Sequence, residues 1–479
     1  SLSEEEIARL MHENSQLSGY RFFLDGYARY NPHILSEESE AVLAELGIAL
    51  GKPDDIFSAF NDNNISFEVF EHNGEEIHLS HATYAQILES PDRELRQKAF
   101  EYYYKPFLQN IDVLANTYAT TVLTNIKLTK IRNHTSMLES ALFPDYLPTT
   151  VFTNLVDVVK ENIDVVSEFN ALKQEALGVE ELHFYDNYIP LVVDVDKEYS
   201  YEETIDLVRT ALEPLGSEYL RKYDATVNAR VIDVFESAGK RSGAFSWGSY
   251  ASRGLVFLNH TGKFSDVSTF AHEFGHCLHR DYSIGNQPYL YYQNPIFLAE
   301  IASTFNEALL FDHMSKIAVS LEDKKFFLYH NMKRIEATFF RQTMFASFEK
   351  EIHEMAESGQ VLIAKSITDV YRKNLETYLG NGMIIDEQLH CEWARIPHFY
   401  NAFYVYKYAT SLSAAIALAE RVSSGEAGAV DDYLAFLGAG SHKEPLKILK
   451  DAGVDLAGKE VYEVTVNKFR KLLDEYRSL

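Results

Sequence analysis

Two histidines four residues apart, with a glutamate directly after the first, constrain this chain more than any other feature. In His272-Glu273-Phe274-Gly275-His276 the i, i+4 spacing puts both imidazoles on one face of an α-helix. Placed so, they can share one tetrahedral metal ion, while Glu273 points toward the open fourth position and can serve as general base. The flanks suit a helix, with Ser265 or Asp266 as N-cap and Val267, Phe270, Ala271, Phe274 and Leu278 as an apolar face. Gly275 inside that helix costs about 1 kcal/mol against Ala. Its missing side chain would let another backbone or a substrate approach closely. With 17 His and 71 acidic residues in 479 positions, chance supplies the pattern roughly 0.1 times. A pair of partly buried helix histidines is the competing account, so a third ligand has to be found.

A catalytic zinc site takes three protein ligands and keeps one position open. Residues 295–313 read as a helix that opens at Asn294-Pro295, with proline at its first turn. Glu300, Ser303, Thr304 and Glu307 form a polar stripe on it, while Ile301, Phe305, Ala308 and Leu309 fill the other faces. Such a stripe in so apolar a helix calls for a buried polar partner. Glu300 is the expected third ligand, and Glu307 is expected to hold a ligand histidine by its other ring nitrogen. Cys277 projects from a different face. His279 lies near the ligand face, but a fourth protein ligand would close the site, so both are expected bystanders.

Bulk properties narrow the function classes. A chain of 479 residues with 46% hydrophobic content can bury a large core and divide into two or three domains. A net charge of -27 lacks the basic face that nucleic acid or an anionic membrane requires, and it is compatible with peptide substrates. Two cysteines, Cys277 and Cys391, the lack of a bilayer-length apolar run and the lack of a signal-peptide pattern point to a reducing cytoplasm.

Most of the chain carries helical periodicity, notably at 36–50, from 90 toward 130, 147–178, 200–215 and 321–359. Strand signals are few. Residues 65–70 alternate and return at 77–79 across Asn73-Gly74, and 243–247 with 255–259 form a second candidate hairpin just before the histidine motif. The expected class is mainly α with a small β-sheet near the metal helix, and a boundary falls between 72 and 80.

At this point the sequence resembles a known family. His272-Glu273-Phe274-Gly275-His276-Cys277-Leu278-His279 followed by Glu300-Ile301-Ala302-Ser303-Thr304-Phe305-Asn306-Glu307 is similar to the thimet oligopeptidase family of zinc peptidases. Ile396-Pro397-His398-Phe399-Tyr400, Phe403 to Thr410, Lys240 to Gly248, Gly438-Ala439-Gly440-Ser441 and Asp451 to Asp455 resemble its oligoendopeptidase F branch. The resemblance covers nearly the whole chain. It implies a two-lobed multihelical zincin-like fold with a deep substrate channel. Residues 1–75 would be an N-terminal helical lobe lacking its first segment, and 76–479 the catalytic domain. It also implies one Zn2+ per chain on His272, His276 and Glu300, and short unfolded peptides as substrates.

The resemblance further assigns oxyanion stabilisation to a histidine and a tyrosine of 398–408. His398 matches the histidine and Tyr406 the main tyrosine, with Tyr400 and Tyr404 as alternatives. A helix beginning at Phe399 would put Tyr400 and Tyr404 on one face and Phe403 and Tyr406 on another, and the sequence does not decide between them. An aromatic stripe at helical spacing is by itself more often core than catalytic. Strand 255–259 is expected to offer an edge to the substrate backbone. Gly243, Ala244 and Asn259, with Tyr400 and Tyr404, are its expected contacts.

The expected activity is a zinc metalloendopeptidase. The rivals are a zinc exopeptidase such as a carboxydipeptidase, with Arg395 or Lys407 binding the substrate terminus, a non-catalytic peptide-binding protein, and a metal-free helical protein.

Overall fold

A computed structural model describes residues 3–192 and 197–479. It is 69% helical and 5% strand, the mainly α class expected. The elements that matter for function are β1 (Phe70–His72), β2 (Glu75–Ile77), α1 (Arg93–Gln109), α2 (Ile111–Ile131), β3 (Ile232–Phe235), β4 (Phe245–Trp247), β5 (Leu255–His260), α3 (Phe264–Asn286), α4 (Ile296–Ile317), α5 (Arg341–Glu357) and α6 (Tyr406–Ser423).

The long periodic stretches hold as helix but are cut where a cap intervenes. Asp92 caps α1 by accepting the Leu95 N–H. The pattern running toward 130 then breaks at Asn110, giving α1 and α2. The 147–178 stretch divides into Thr150–Glu161 and Asp164–Leu177, and the second ends on Gly178 at φ 62, a left-handed cap that glycine adopts without strain. The first hairpin turns at Asn73 and Gly74, both at positive φ, as a primed two-residue turn requires. Its strands are only three residues each, in the register Phe70↔Ile77, and 65–69 run outside any strand.

The chain forms two compact units, each assembled from separate segments. The first comprises Ser1–Pro144, Asn162–Leu191 and Thr343–Tyr406, and the second Asp145–Glu161, Val192–Gln342 and Lys407–Leu479. The first unit packs α1, α2 and α5 around buried aromatics including Tyr104, Phe107, Tyr118, Phe348 and Phe399. Each fully buried ring of this kind contributes roughly 1.5–3 kcal/mol. Its buried Asp186 is neutralised by Arg93 at 2.9 Å and Arg96 at 2.7 Å, as a carboxylate removed from water must be.

The second unit is organised by α3 lying along α4, with a three-stranded sheet of order β3-β5-β4 beside them. β5 pairs parallel with β3 and antiparallel with β4, in the register Phe245↔Phe257 and Trp247↔Leu255. Val256, Leu258 and His260 are buried, while Leu255 on the other face is exposed, as are Phe245 and Trp247. Strand 255–259 was expected at an edge. It is the middle strand, because β3, which carried no clear strand signal, takes its other side. The edge that antiparallel pairing leaves open belongs to β4.

Candidate active site

α3 starts at Phe264, earlier than a Ser265 or Asp266 cap would allow. Asp266 instead sits in the first turn, where its carboxylate accepts the backbone N–H of Thr261 at 2.7 Å and of Lys263 at 3.1 Å. An acidic side chain there also complements the helix dipole. Gly275 lies where α4 crosses. A Cβ on it would stand 2.5 Å from the Ala302 carbonyl oxygen and 2.5 Å from Ser303 Cα. The two helices therefore touch backbone to backbone. Asn306 of α4 donates to the Ala271 carbonyl at 3.1 Å and accepts from the buried Tyr219 hydroxyl at 3.2 Å, which fixes the helices along their length.

This crossing brings His272, His276 and Glu300 together. The two Nε2 atoms are 3.2 Å apart, and Glu300 Oε2 lies 3.3 Å from His272 Nε2 and 3.5 Å from His276 Nε2. Ligands at about 2.0–2.2 Å from a tetrahedral ion stand roughly 3.3–3.5 Å from one another, so the triangle fits zinc. Among the described residues it is the one cluster of three such side chains with ligand atoms in reach of a common ion. Each side chain keeps part of its surface exposed, at 28%, 23% and 43%, which leaves a face open for substrate.

The electrostatics favour a cation. Burial alone would depress the His272 imidazolium, but the Glu300 and Glu307 carboxylates outweigh it and push its pKa up to about 10. Glu300 is disfavoured by burial yet held well below the usual carboxylate range by the two histidines. Glu307 Oε2 lies 3.4 Å from His272 Nδ1, the outer nitrogen that such a carboxylate orients. Glu307 also accepts from Ser268 at 3.1 Å and faces Arg334 at 3.9 Å. Ser303 donates to Glu300 Oε2 at 3.1 Å. Arg334 and Ser268 escaped the sequence reading. The polar stripe that pointed to Glu300 did include Ser303, but nothing linked Ser268 or Arg334 to it.

Glu273 is 6% exposed. Burial raises its pKa, and its Oε2 has no hydrogen-bond partner among the described residues. A buried carboxyl without a structural partner is the signature of a group kept for chemistry. His279 is buried against Phe436 and its pKa is driven down to about 3 by burial. Cys277 accepts from Arg280 at 3.3 Å. Neither joins the triangle of ligand atoms.

Asn259 is engaged within the sheet, where its amide donates to the carbonyls of Arg241 at 2.9 Å and Gly243 at 2.8 Å. That clamp holds Gly243 at φ 93, a conformation that favours glycine, and it positions Ala244 at the start of β4.

Residues 397–406 lie in the first unit and are not one helix. Pro397–Tyr400 forms a single 3-10 turn, and α6 begins only at Tyr406. The same-face argument from a helix start at Phe399 therefore does not apply. His398 is exposed, Tyr404 half-buried and Tyr406 fully buried. The His398 and Tyr404 rings lie near parallel with centroids 6.2 Å apart. Tyr400 stacks on Phe57 at 4.5 Å.

Residues 86–467 match peptidase family M3, and residues 1–67 match the oligopeptidase F N-terminal family. The chain is 38% identical to oligopeptidase PepF of Bacillus subtilis over 483 residues, spanning 100% of this chain and 72% of the relative. It is 34% identical to an oligoendopeptidase F homolog of Lactococcus lactis, spanning 100% and 80%. Among solved structures, oligoendopeptidase-F of Enterococcus faecium superposes with a TM-score of 0.84 at 30% identity, covering 100% of this chain and 81% of that one. A chain from Chlamydophila abortus superposes with a TM-score of 0.95 at 37% identity, covering 100% and 80%. With family M3 matched across most of its length, and with oligopeptidase F relatives 38% and 34% identical over the full chain, the chain belongs to peptidase family M3, in its oligopeptidase F branch.

Proposed function

We propose that the protein is a zinc endopeptidase that hydrolyses internal bonds of short unfolded peptides, with one Zn2+ per chain held by His272, His276 and Glu300. The observation that carries the reading is the triangle of ligand atoms at 3.2, 3.3 and 3.5 Å with the buried, unpartnered Glu273 next to it. When bound, zinc polarises the scissile carbonyl and acidifies the attacking water. Glu273 removes a proton from that water and returns it to the leaving amine, a role for which a raised pKa suits it. Glu307 keeps His272 in the tautomer that presents Nε2. His398 and a tyrosine donate hydrogen bonds to the developing oxyanion. The resemblance nominates Tyr406 for that role, and proximity to His398 nominates Tyr404. β4, with Gly243 and Ala244 leading into it, offers the substrate backbone an edge.

The exopeptidase alternative needs a cation free to bind a chain terminus. Both candidates are taken: Arg395 donates to Glu392 at 2.7 Å and Lys407 to Asp145 at 2.7 Å. A fluorogenic peptide blocked at both ends tests the reading. Cleavage within it, together with one zinc per chain by elemental analysis, is expected. Activity only on peptides with a free terminus would overturn it. A reducing compartment is part of the same proposal, because Cys277 and Cys391 are both buried free thiols.

A further inference from the structure

We propose that Glu349 is a positioning residue for this reaction: its carboxyl holds the backbone at Phe403 and thereby fixes the conformation in which the loop presents His398 and Tyr404. The inference rests on reading 397–406 as the oxyanion loop.

Glu349 lies within α5 and is completely buried, a placement that a glutamate rarely occupies. One oxygen accepts the backbone N–H of Phe403 at 2.6 Å. Phe403 is 2% exposed and sits at φ 54, a left-handed conformation that a bulky residue keeps only when its surroundings over-determine it. Its N–H lies in the interior between the 3-10 turn and α6, where it needs an acceptor from another segment.

The next residue is Tyr404. Its N–H bonds to the Asn401 carbonyl at 3.2 Å, and the Asn401 N–H bonds to the His398 carbonyl at 3.0 Å. The backbone bonds therefore lead from the Glu349 anchor to both donors. His353, one turn further along α5, closes the other side. Its Nδ1 bonds to the Glu349 carbonyl at 2.8 Å and its ring packs 4.9 Å from that of Phe403.

The second Glu349 oxygen and the nearby Tyr118 hydroxyl have no hydrogen-bond partner among the described residues. A residue needed only for packing would avoid that cost. Burial pushes the Glu349 carboxyl up to about 8, so near neutral pH it is mostly an uncharged acid, and glutamine reproduces its shape and its acceptor.

The test measures kcat and KM of the zinc-loaded full chain on the blocked peptide for Glu349→Gln, Glu349→Asp and Glu349→Met, and for Glu349→Met combined with His398→Ala. Glu349→Gln keeps most of kcat. Glu349→Asp, which withdraws the acceptor by one methylene, and Glu349→Met both lower kcat with KM and zinc content unchanged, toward the ~100-fold that a 1 Å misplacement costs. In the His398→Ala background, Glu349→Met costs clearly less than in the parent, because only Tyr404 is then left for it to misplace and groups acting as a unit are not additive. Should Glu349→Met fail to fold, the Asp and Gln pair decides. Full kcat in Glu349→Asp, or an equal loss with and without His398, overturns the proposal while leaving the loop reading intact. Full kcat in both His398→Ala and Tyr404→Phe removes the loop reading itself, and the inference falls with it.

Discussion

The helix pair of the second unit and the loop 397–406 of the first unit present functional side chains by opposite means. On α3 and α4 each of the proposed ligands His272, His276 and Glu300 is placed by helical repeat, and the helices approach closely where Gly275 meets Ala302 and Ser303. In the loop, His398 sits in a 3-10 turn and is separated from Tyr404 and Tyr406 by the left-handed Phe403, whose N–H is held by a buried carboxyl 54 positions earlier in the chain. The first design is rigid and local. The second is assembled from distant parts and is correspondingly easier to disturb.

The comparison is broken most forcefully at Glu273. Glu273→Gln is expected to lower kcat about 1,000-fold or more, within the ~100- to 10,000-fold that a general base supplies, with zinc content and Tm unchanged. Peptide hydrolysis as fast as that of the parent would leave the cage without a base. In the loop, His398→Ala is expected to lower kcat about 100–1,000-fold, the range of a lost oxyanion donor, again with zinc retained. Tyr404→Phe and Tyr406→Phe made in parallel show which hydroxyl contributes, since the one that reaches the substrate loses kcat and the other does not.

A smaller effect sharpens the rigid half. Glu307→Gln is expected to weaken zinc binding or activity about 10–100-fold, read by competition with a chelator. No change would mean that His272 is oriented by helix packing alone.

The smallest effect concerns Glu349. Its folded pKa of about 8 stands above the ordinary 4.5, so the native state holds a proton that the unfolded chain releases. Stability therefore falls as pH rises from about 5 toward 8, and it is fully present below the unfolded value. Glu349→Gln lacks this dependence. Its Tm should gain on the parent's by about 2 °C or more between those pH values, the shift that about 1 kcal/mol produces in domains of this size. A constant difference across the range would show that the carboxyl keeps one charge state throughout.

These two regions also mark how far the sequence could be read. The i, i+4 histidines, the polar stripe at Glu300 to Glu307 and the unusual Gly275 are local patterns with a fixed period, so the helices and their shared face were visible in the chain. The second hairpin was visible for the same reason. The second neighbour of β5 was not, because β3 pairs with it across 24 positions, Ile232 opposite Val256, and is only four residues long. The loop resisted for a related reason. Phe403 carries no residue-type signal for positive φ, as an Asn or Gly would, and its acceptor lies on α5. The helix start at Tyr406 rather than Phe399 followed from that long-range bond, which no periodicity reports. The two-unit division is hidden likewise, because each unit gathers segments that are far apart along the chain.

The contact at Gly275 has a consequence for the choice of metal. Side-chain packing shifts by several tenths of an ångström when a core residue is exchanged, whereas metal–ligand bonds tolerate only about 0.2 Å. At Gly275 α3 and α4 meet through peptide atoms, so the spacing of His272, His276 and Glu300 is set there by backbone contact. A single added methyl at Gly275 would change that spacing without altering any ligand.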